Sequence, residues 1–257
     1  MSRRHLTFAC GLDTLLGTLD DAPGTTGLLL VSGGSEIRSG AFAGQAQLAA
    51  QIAARGHPVL RYDRRGIGDS SGADPGFRGS APDIAAALAA FRSEAPHVTR
   101  VVAFGNCDAA SALMLAEGPG CDGLVLANPW TFDSDSHDAP PPAAIRARYM
   151  AKLKNPRELL RLLTGKVSLT KLVGGLAQSA KRSAPTNLAG EIEQGLARFP
   201  GPVRILIAER DRTGQAFLAG WQARDARIQR CEGANHAFAE AHAREWLLAQ
   251  LLAALSE

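Results

Sequence analysis

Apolar residues in this chain fall in short unbroken runs, each followed by a turn and then by a pattern of helical period. The runs at 27–32 (GLLLVS), 58–62 (PVLRY), 98–104, 123–127 (GLVLA), 203–208 (VRILIA) and 226–231 read as strands. Uninterrupted apolar runs of this length suit strands covered on both faces. Helical periodicity follows at 42–55, 81–91, 107–117, 188–199, 213–221 and 239–255. Ser80 stands where an N-cap would enter the second of these helices, with Pro82 in its first turn. Two shorter strands, 6–9 and 15–19, flank a Gly11-Leu12-Asp13 turn and predict an antiparallel hairpin at the start. Strand followed by helix, repeated, predicts an α/β fold: a mostly parallel sheet flanked by helices.

The alternation breaks once. Asp133, Asp135 and Asp138 lead into Pro140-Pro141-Pro142, a stiff connector. Helical segments follow at about 143–153, 156–163 and 168–179, before the one at 188–199. The expected organisation is a core over 1–130, an inserted helical cap over 131–199, and the rest of the core over 200–257.

Composition narrows the class. A chain of 257 residues can fill one α/β domain plus an insertion. The apolar share of 46% and charged share of 21% are those of a soluble globular protein. A net charge of +3 gives no case for nucleic acid. Cys10, Cys107, Cys121 and Cys231 lie far apart, without C-x-x-C pairs or a His cluster, which argues against zinc and against a disulfide framework. No nucleotide-binding glycine spacing occurs, so no cofactor or metal is expected. The first residues lack the apolar core of a signal peptide, and no run approaches a membrane span; the expected location is the cytoplasm.

The chemistry centres on Gly105-Asn106-Cys107-Asp108-Ala109. A strand ends at Gly105, a helix starts at once, and Cys107 stands at the apex. That is the layout of the nucleophile elbow, written G-x-S-x-G in α/β-hydrolases and G-x-C-x-A here. The competing reading is a buried Cys at a helix start. Gly68-Asp69-Ser70-Ser71-Gly72 matches G-x-S-x-G by letter, but Ser70 follows no strand and opens no helix. The preceding Asp63-Arg64-Arg65-Gly66 run reads as structural bracing of a glycine-rich turn.

Asp211 and His236 each follow a later strand, which gives the chain order nucleophile, acid, His of the α/β-hydrolase triad. In that scheme Cys107 attacks, His236 moves the proton and Asp211 orients the imidazole. Asp211 is also suited to cap the next helix or to pair with Arg210 or Arg212. Asp133 and Asp135 are the reserve acids. Gly33-Gly34-Ser35 follows a strand, which makes the Gly34 N–H, or Ser35 as the alternative, the partner of the Asp108 N–H in an oxyanion hole. A plain turn explains the glycine pair equally well. Ser35, Arg38, Lys152 and Arg157 are candidate substrate contacts.

Between Arg146 and Arg182 the charges are basic except for Glu158. This is either a solvated helix face or a surface that steers an anionic substrate, a carrier protein or a membrane.

The G-N-C-D-A-A-S-A elbow, the V-S-G-G loop, the Y-D-R-R-G-I-G-D-S loop and the terminal N-H-A-F resemble the α/β-hydrolase called hydrolase 1 of exosortase A-associated systems. The resemblance covers most of the chain outside the cap. It implies an α/β-hydrolase core, Cys107 as nucleophile, and a bacterial setting among exopolysaccharide, protein-sorting and acyl-carrier functions. It supplies no substrate. A second likeness, to dienelactone hydrolase, shares the elbow Cys but not the basic cap, so that substrate does not carry over. The expected activity is hydrolysis of an ester or thioester, possible substrates including a CoA or acyl-carrier thioester. An acyltransferase using the same acyl-enzyme, and a catalytically weak hydrolase-fold protein that binds a ligand or partner, are the alternatives. Asp108, a negative charge beside the thiol, is the feature that favours the last.

Overall fold

A computed structural model describes residues 2–132, 187–221 and 225–257. An eight-stranded sheet runs in the order β1-β2-β4-β3-β5-β6-β7-β8. Its strands are β1 (Ser2–Cys10), β2 (Asp13–Asp21), β3 (Thr26–Val31), β4 (Val59–Tyr62), β5 (Arg100–Asn106), β6 (Gly123–Ala127), β7 (Val203–Ala208) and β8 (Ile228–Cys231). The pairs β1–β2 and β2–β4 are antiparallel, and every pair from β4 through β8 is parallel. The helices are α1 (Gly44–Ala53), α2 (Ala81–Glu94), α3 (Asp108–Leu115), α4 (Asn187–Arg198), α5 (Arg212–Gly220) and α6 (Ala241–Leu255).

Successive strand residues point to opposite faces, and both faces here are covered. Leu28, Leu30, Val102, Phe104, Val125 and Leu206 pack on one side against α1 and α6. Leu29, Val31, Val101, Ala103, Leu124, Leu126 and Ile205 face α2, α3, α4 and α5 on the other. That two-sided burial is why these strands are apolar at consecutive positions.

Three local features differ from the expectation. The hairpin strands extend over nine residues each, because pairing continues from Ser2↔Asp21 to Cys10↔Asp13 and recruits the polar flanks. The first helix starts at Gly44, since Phe42 and Ala43 have left-handed φ values of 51° and 57°. Ser80 precedes α2 without capping it; its hydroxyl donates back to the Phe77 carbonyl at 2.8 Å.

Most of the expected cap, including Lys152, Arg157, Asp133 and Asp135, lies outside the described residues. Helix α4, placed in the cap by sequence, buries Leu188, Ile192 and Leu196 in the same core as α3. A Cβ at Gly195 would come 2.2 Å from the Met114 carbonyl oxygen, so these two helices cross at a glycine. No helix among the described residues is long and apolar enough to cross a membrane.

Candidate active site

Strand β5 ends at Asn106 and α3 begins at Asp108, which leaves one residue to reverse the chain. Cys107 does so at φ 62°, ψ −125°. A side chain in that region costs about 1–3 kcal/mol, so neighbouring contacts have to impose it. A Cβ at Gly105 would lie 2.7 Å from the backbone carbon and oxygen of Ala109, so strand and helix approach too closely for a side chain there. The Cys107 N–H donates to the Ala127 carbonyl at 2.9 Å, and its own carbonyl accepts from Ser111 N and Trp130 N, both at 3.3 Å. The ends of β6 and α3 thereby hold the turn from both sides.

Asp211 leaves β7 as the N-cap of α5 and is 7% exposed. One carboxylate oxygen accepts from Gly214 N at 2.9 Å, while the other lies 3.0 Å from His236 Nδ1. Helix capping and imidazole binding, separate readings of Asp211 in the sequence, coexist with one oxygen each. Arg210 points elsewhere, 3.9 Å from Glu240.

His236 sits in the loop after β8, with its side chain 45% exposed. Asn235 shapes that loop by accepting from Ala237 N at 3.1 Å and Ala239 N at 3.0 Å. The hydrogen bond with Asp211, then one with Cys107, pushes the His236 pKa up to about 10 against the opposing effect of burial. Both partners favour the imidazolium.

Two residues that sequence reasoning passed over fix the same loop. Asn106 Nδ2 donates to the His236 carbonyl at 3.0 Å. Asn128, fully buried and at φ 43°, donates to Asn106 Oδ1 at 3.1 Å and to the His236 carbonyl at 3.4 Å. Its Oδ1 accepts from Ala208 N at 2.8 Å. One amide pair therefore ties the ends of β5, β6 and β7 to the His236 backbone. The available signal was an Asn directly after each of two apolar strands.

The loop after β3 brings Gly34 to the elbow, where its N–H donates to both Asp108 carboxylate oxygens, at 3.0 and 2.8 Å. Gly33 lies so close that a Cβ there would be 2.1 Å from Asp108 Oδ1. The side chain of Asp108 thus occupies the donor expected to serve an oxyanion. Ser35 is exposed on the same turn. The Arg38 guanidinium binds Asp63 and, at 2.9 Å, Asp69. The buried Arg64 donates to the Gly34 carbonyl, so the Asp63–Arg64 stretch braces the loop. Ser70 is buried within that brace, donating to the Asp63 carbonyl at 2.7 Å and accepting from Leu16 N at 2.9 Å. No trio of His, Cys, Asp or Glu suited to a metal ion occurs among the described residues.

A doubly covered parallel sheet with a strained elbow and an Asp–His pair at its carboxyl edge defines a class, and the chain belongs to the alpha/beta hydrolase family, whose model matches residues 28–250. Among solved structures it is similar to the alpha/beta hydrolase GrgF from Penicillium sp. sh18, with TM-score 0.64, 18% identity, and 100% of this chain and 98% of that one covered. It is also similar to Est1E from Butyrivibrio proteoclasticus, solved with ferulic acid bound (TM-score 0.62, 13% identity, 98% and 100% covered). A third is the Pyrococcus furiosus esterase Pf2001 (TM-score 0.62, 14% identity, 99% and 90% covered). At these identities the likeness shows the fold. No curated protein matches the sequence.

Three measurements check the site. In an NMR titration His236 should titrate near 10, and in Asp211→Asn its pKa should fall toward 6.5. A base whose pKa is raised on folding stabilises the fold fully below 6.5 and loses that contribution as pH rises through about 10. The difference in Tm between wild type and Asp211→Asn should therefore narrow across that window. Asn128→Ala leaves the buried Ala208 N–H without its acceptor and should cost about 1–3 kcal/mol in urea unfolding.

Proposed function

We propose that this alpha/beta hydrolase cleaves an ester or thioester through an acyl-Cys107 intermediate, with His236 and Asp211 completing a triad. The observation that carries the reading is the meeting of Cys107, at a left-handed φ of 62°, with an imidazole raised by both Asp211 and Cys107. An imidazole within reach of the sulfur can take up its proton, and the thiolate is the reactive form of cysteine.

The Cys107 thiolate attacks the acyl carbonyl carbon, and the carbonyl electron pair moves onto oxygen. Collapse of that tetrahedral species breaks the bond to the leaving alcohol or thiol, which takes the proton held by His236. Water then attacks the acyl carbon while His236 takes its proton. The carbon–sulfur bond breaks, the carboxylic acid leaves, and the thiolate–imidazolium pair is restored. The backbone N–H groups of Asp108 and Gly34 stabilise both oxyanions once the Asp108 carboxylate has moved off Gly34.

The esterases among the structural neighbours support an ester substrate. The basic sequence from Arg146 to Arg182 supports an anionic leaving group, such as CoA or an acyl carrier. The resemblance to the exosortase-associated hydrolase supports the same chemistry in a bacterial cytoplasm.

Steady-state turnover of acyl thioesters and aryl esters of graded chain length tests the assignment. Cys107→Ala should abolish turnover with an unchanged far-UV spectrum, and Cys107→Ser should be far poorer than wild type because a site arranged around sulfur misplaces the shorter hydroxyl. Asp211→Asn should lose ~10⁴-fold if the imidazole adopts the wrong tautomer, whereas Ser70→Ala should stay near wild type. Equal activity in Cys107→Ala and wild type would remove the thiol from the mechanism.

A further inference from the structure

The oxyanion donor assigned to Gly34 is already bound to an anion, the carboxylate of the residue next to the candidate nucleophile. The peptide that carries this N–H is held at its other end, where the Gly33 carbonyl accepts from Glu36 N at 3.0 Å, and the buried Arg64 holds the next carbonyl, that of Gly34. Asp108 is itself fixed by the helix it opens, and Gly33 has no side chain to push the carboxylate aside. A substrate carbonyl oxygen and the Asp108 carboxylate must therefore compete for one N–H.

Displacement does not remove the charge. Adjacent Cα atoms stay about 3.8 Å apart, so a carboxylate rotated off Gly34 remains within about 10 Å of any carbon bonded to Cys107 Sγ. The imidazolium of His236 is the opposing charge nearby, but it is engaged by the Asp211 carboxylate and the Cys107 sulfur. Among the described residues, the cations that brace the Gly34 loop are already engaged, Arg38 by Asp63 and Asp69 and Arg64 by the Gly34 carbonyl, so a second negative charge on the acyl side meets Asp108 unshielded by either.

We propose that Asp108 is a charge filter at the reacting carbon: its carboxylate closes the Gly34 donor in the unliganded enzyme and confines the acyl side of the substrate to neutral or cationic groups. This inference rests on the reading of Cys107 as nucleophile and narrows its substrate class. Two like charges ~6 Å apart at an effective dielectric of about 20 repel enough to lower a rate ~100-fold. Salt and solvent reduce that figure, and ~10-fold discrimination is the expected effect at physiological ionic strength.

Iodoacetamide and iodoacetate test this without a substrate. Both alkylate by the same displacement, in which sulfur bonds to the methylene carbon and iodide leaves, and they differ in charge. Alkylation of Cys107 is followed by peptide mass spectrometry in wild type, Asp108→Asn and Asp108→Ala. The wild-type rate ratio, neutral over anionic reagent, should exceed that of Asp108→Asn and Asp108→Ala by ~10-fold. In parallel, kcat/KM is measured for para-nitrophenyl esters of butyrate, of succinate with its second carboxylate free, and of gamma-aminobutyrate. The wild type should disfavour the succinyl ester, and both variants should recover it selectively.

Equal alkylation ratios in wild type and Asp108→Asn would overturn the proposal, as would a uniform change on all three esters with their order preserved. If none of the esters is hydrolysed by any enzyme while the alkylation ratios behave as expected, the ester-hydrolase reading fails and the charge filter stands.

Discussion

The reversal at Cys107 depends on contacts from three directions, and much of the surrounding structure serves to hold it. Its positive φ is unfavourable for a side-chain-bearing residue. The absence of a Cβ at Gly105 lets α3 start directly against the strand, and the Ala127 carbonyl receives the Cys107 N–H. Because β5 lies between β3 and β6, the same turn faces both the Gly34 loop and the Asn128 corner. Placing the reversal on a central strand brings the ends of β7 and β8, with Asp211 and His236, to the same edge.

Charge in this site is arranged around pairs. Asp211 and Cys107 raise the His236 pKa, and in the proposed reaction the proton it holds goes to the leaving group. Asp108 adds a second carboxylate, on the residue next to Cys107, held by the Gly34 N–H. Helix N-termini stabilise negative charge, and Asp108 is the acidic residue in the first turn of α3 that receives that stabilisation. The proposed reaction requires it to pass to the substrate oxygen, so the resting contact raises the cost of binding and sets which acyl groups are accepted.

The order of strands and helices was legible in the sequence because burial on both faces leaves consecutive apolar residues, and helical period follows each run. Cys107, Asp211 and His236 were legible as candidates for a related reason: each stands directly after such a run. What depends on contact between distant segments was not. The Asp108–Gly34 bond joins residues 74 positions apart, and nothing local in either stretch announces it. Asn106 and Asn128 read as ordinary strand-end residues until the sheet order sets them side by side. Ser80 shows the same limit on a short scale: its identity suits a cap, but the preceding turn claims its hydroxyl for Phe77.

The central claim is that acyl transfer passes through sulfur at position 107. Turnover of a slow aryl ester, quenched in acid within the first cycle, should leave a peptide containing Cys107 heavier by the mass of one acyl group, and Cys107→Ala should leave none. Detection of the acyl group on another residue, or hydrolysis at the wild-type rate with no acylated peptide at any quench time, would contradict the account.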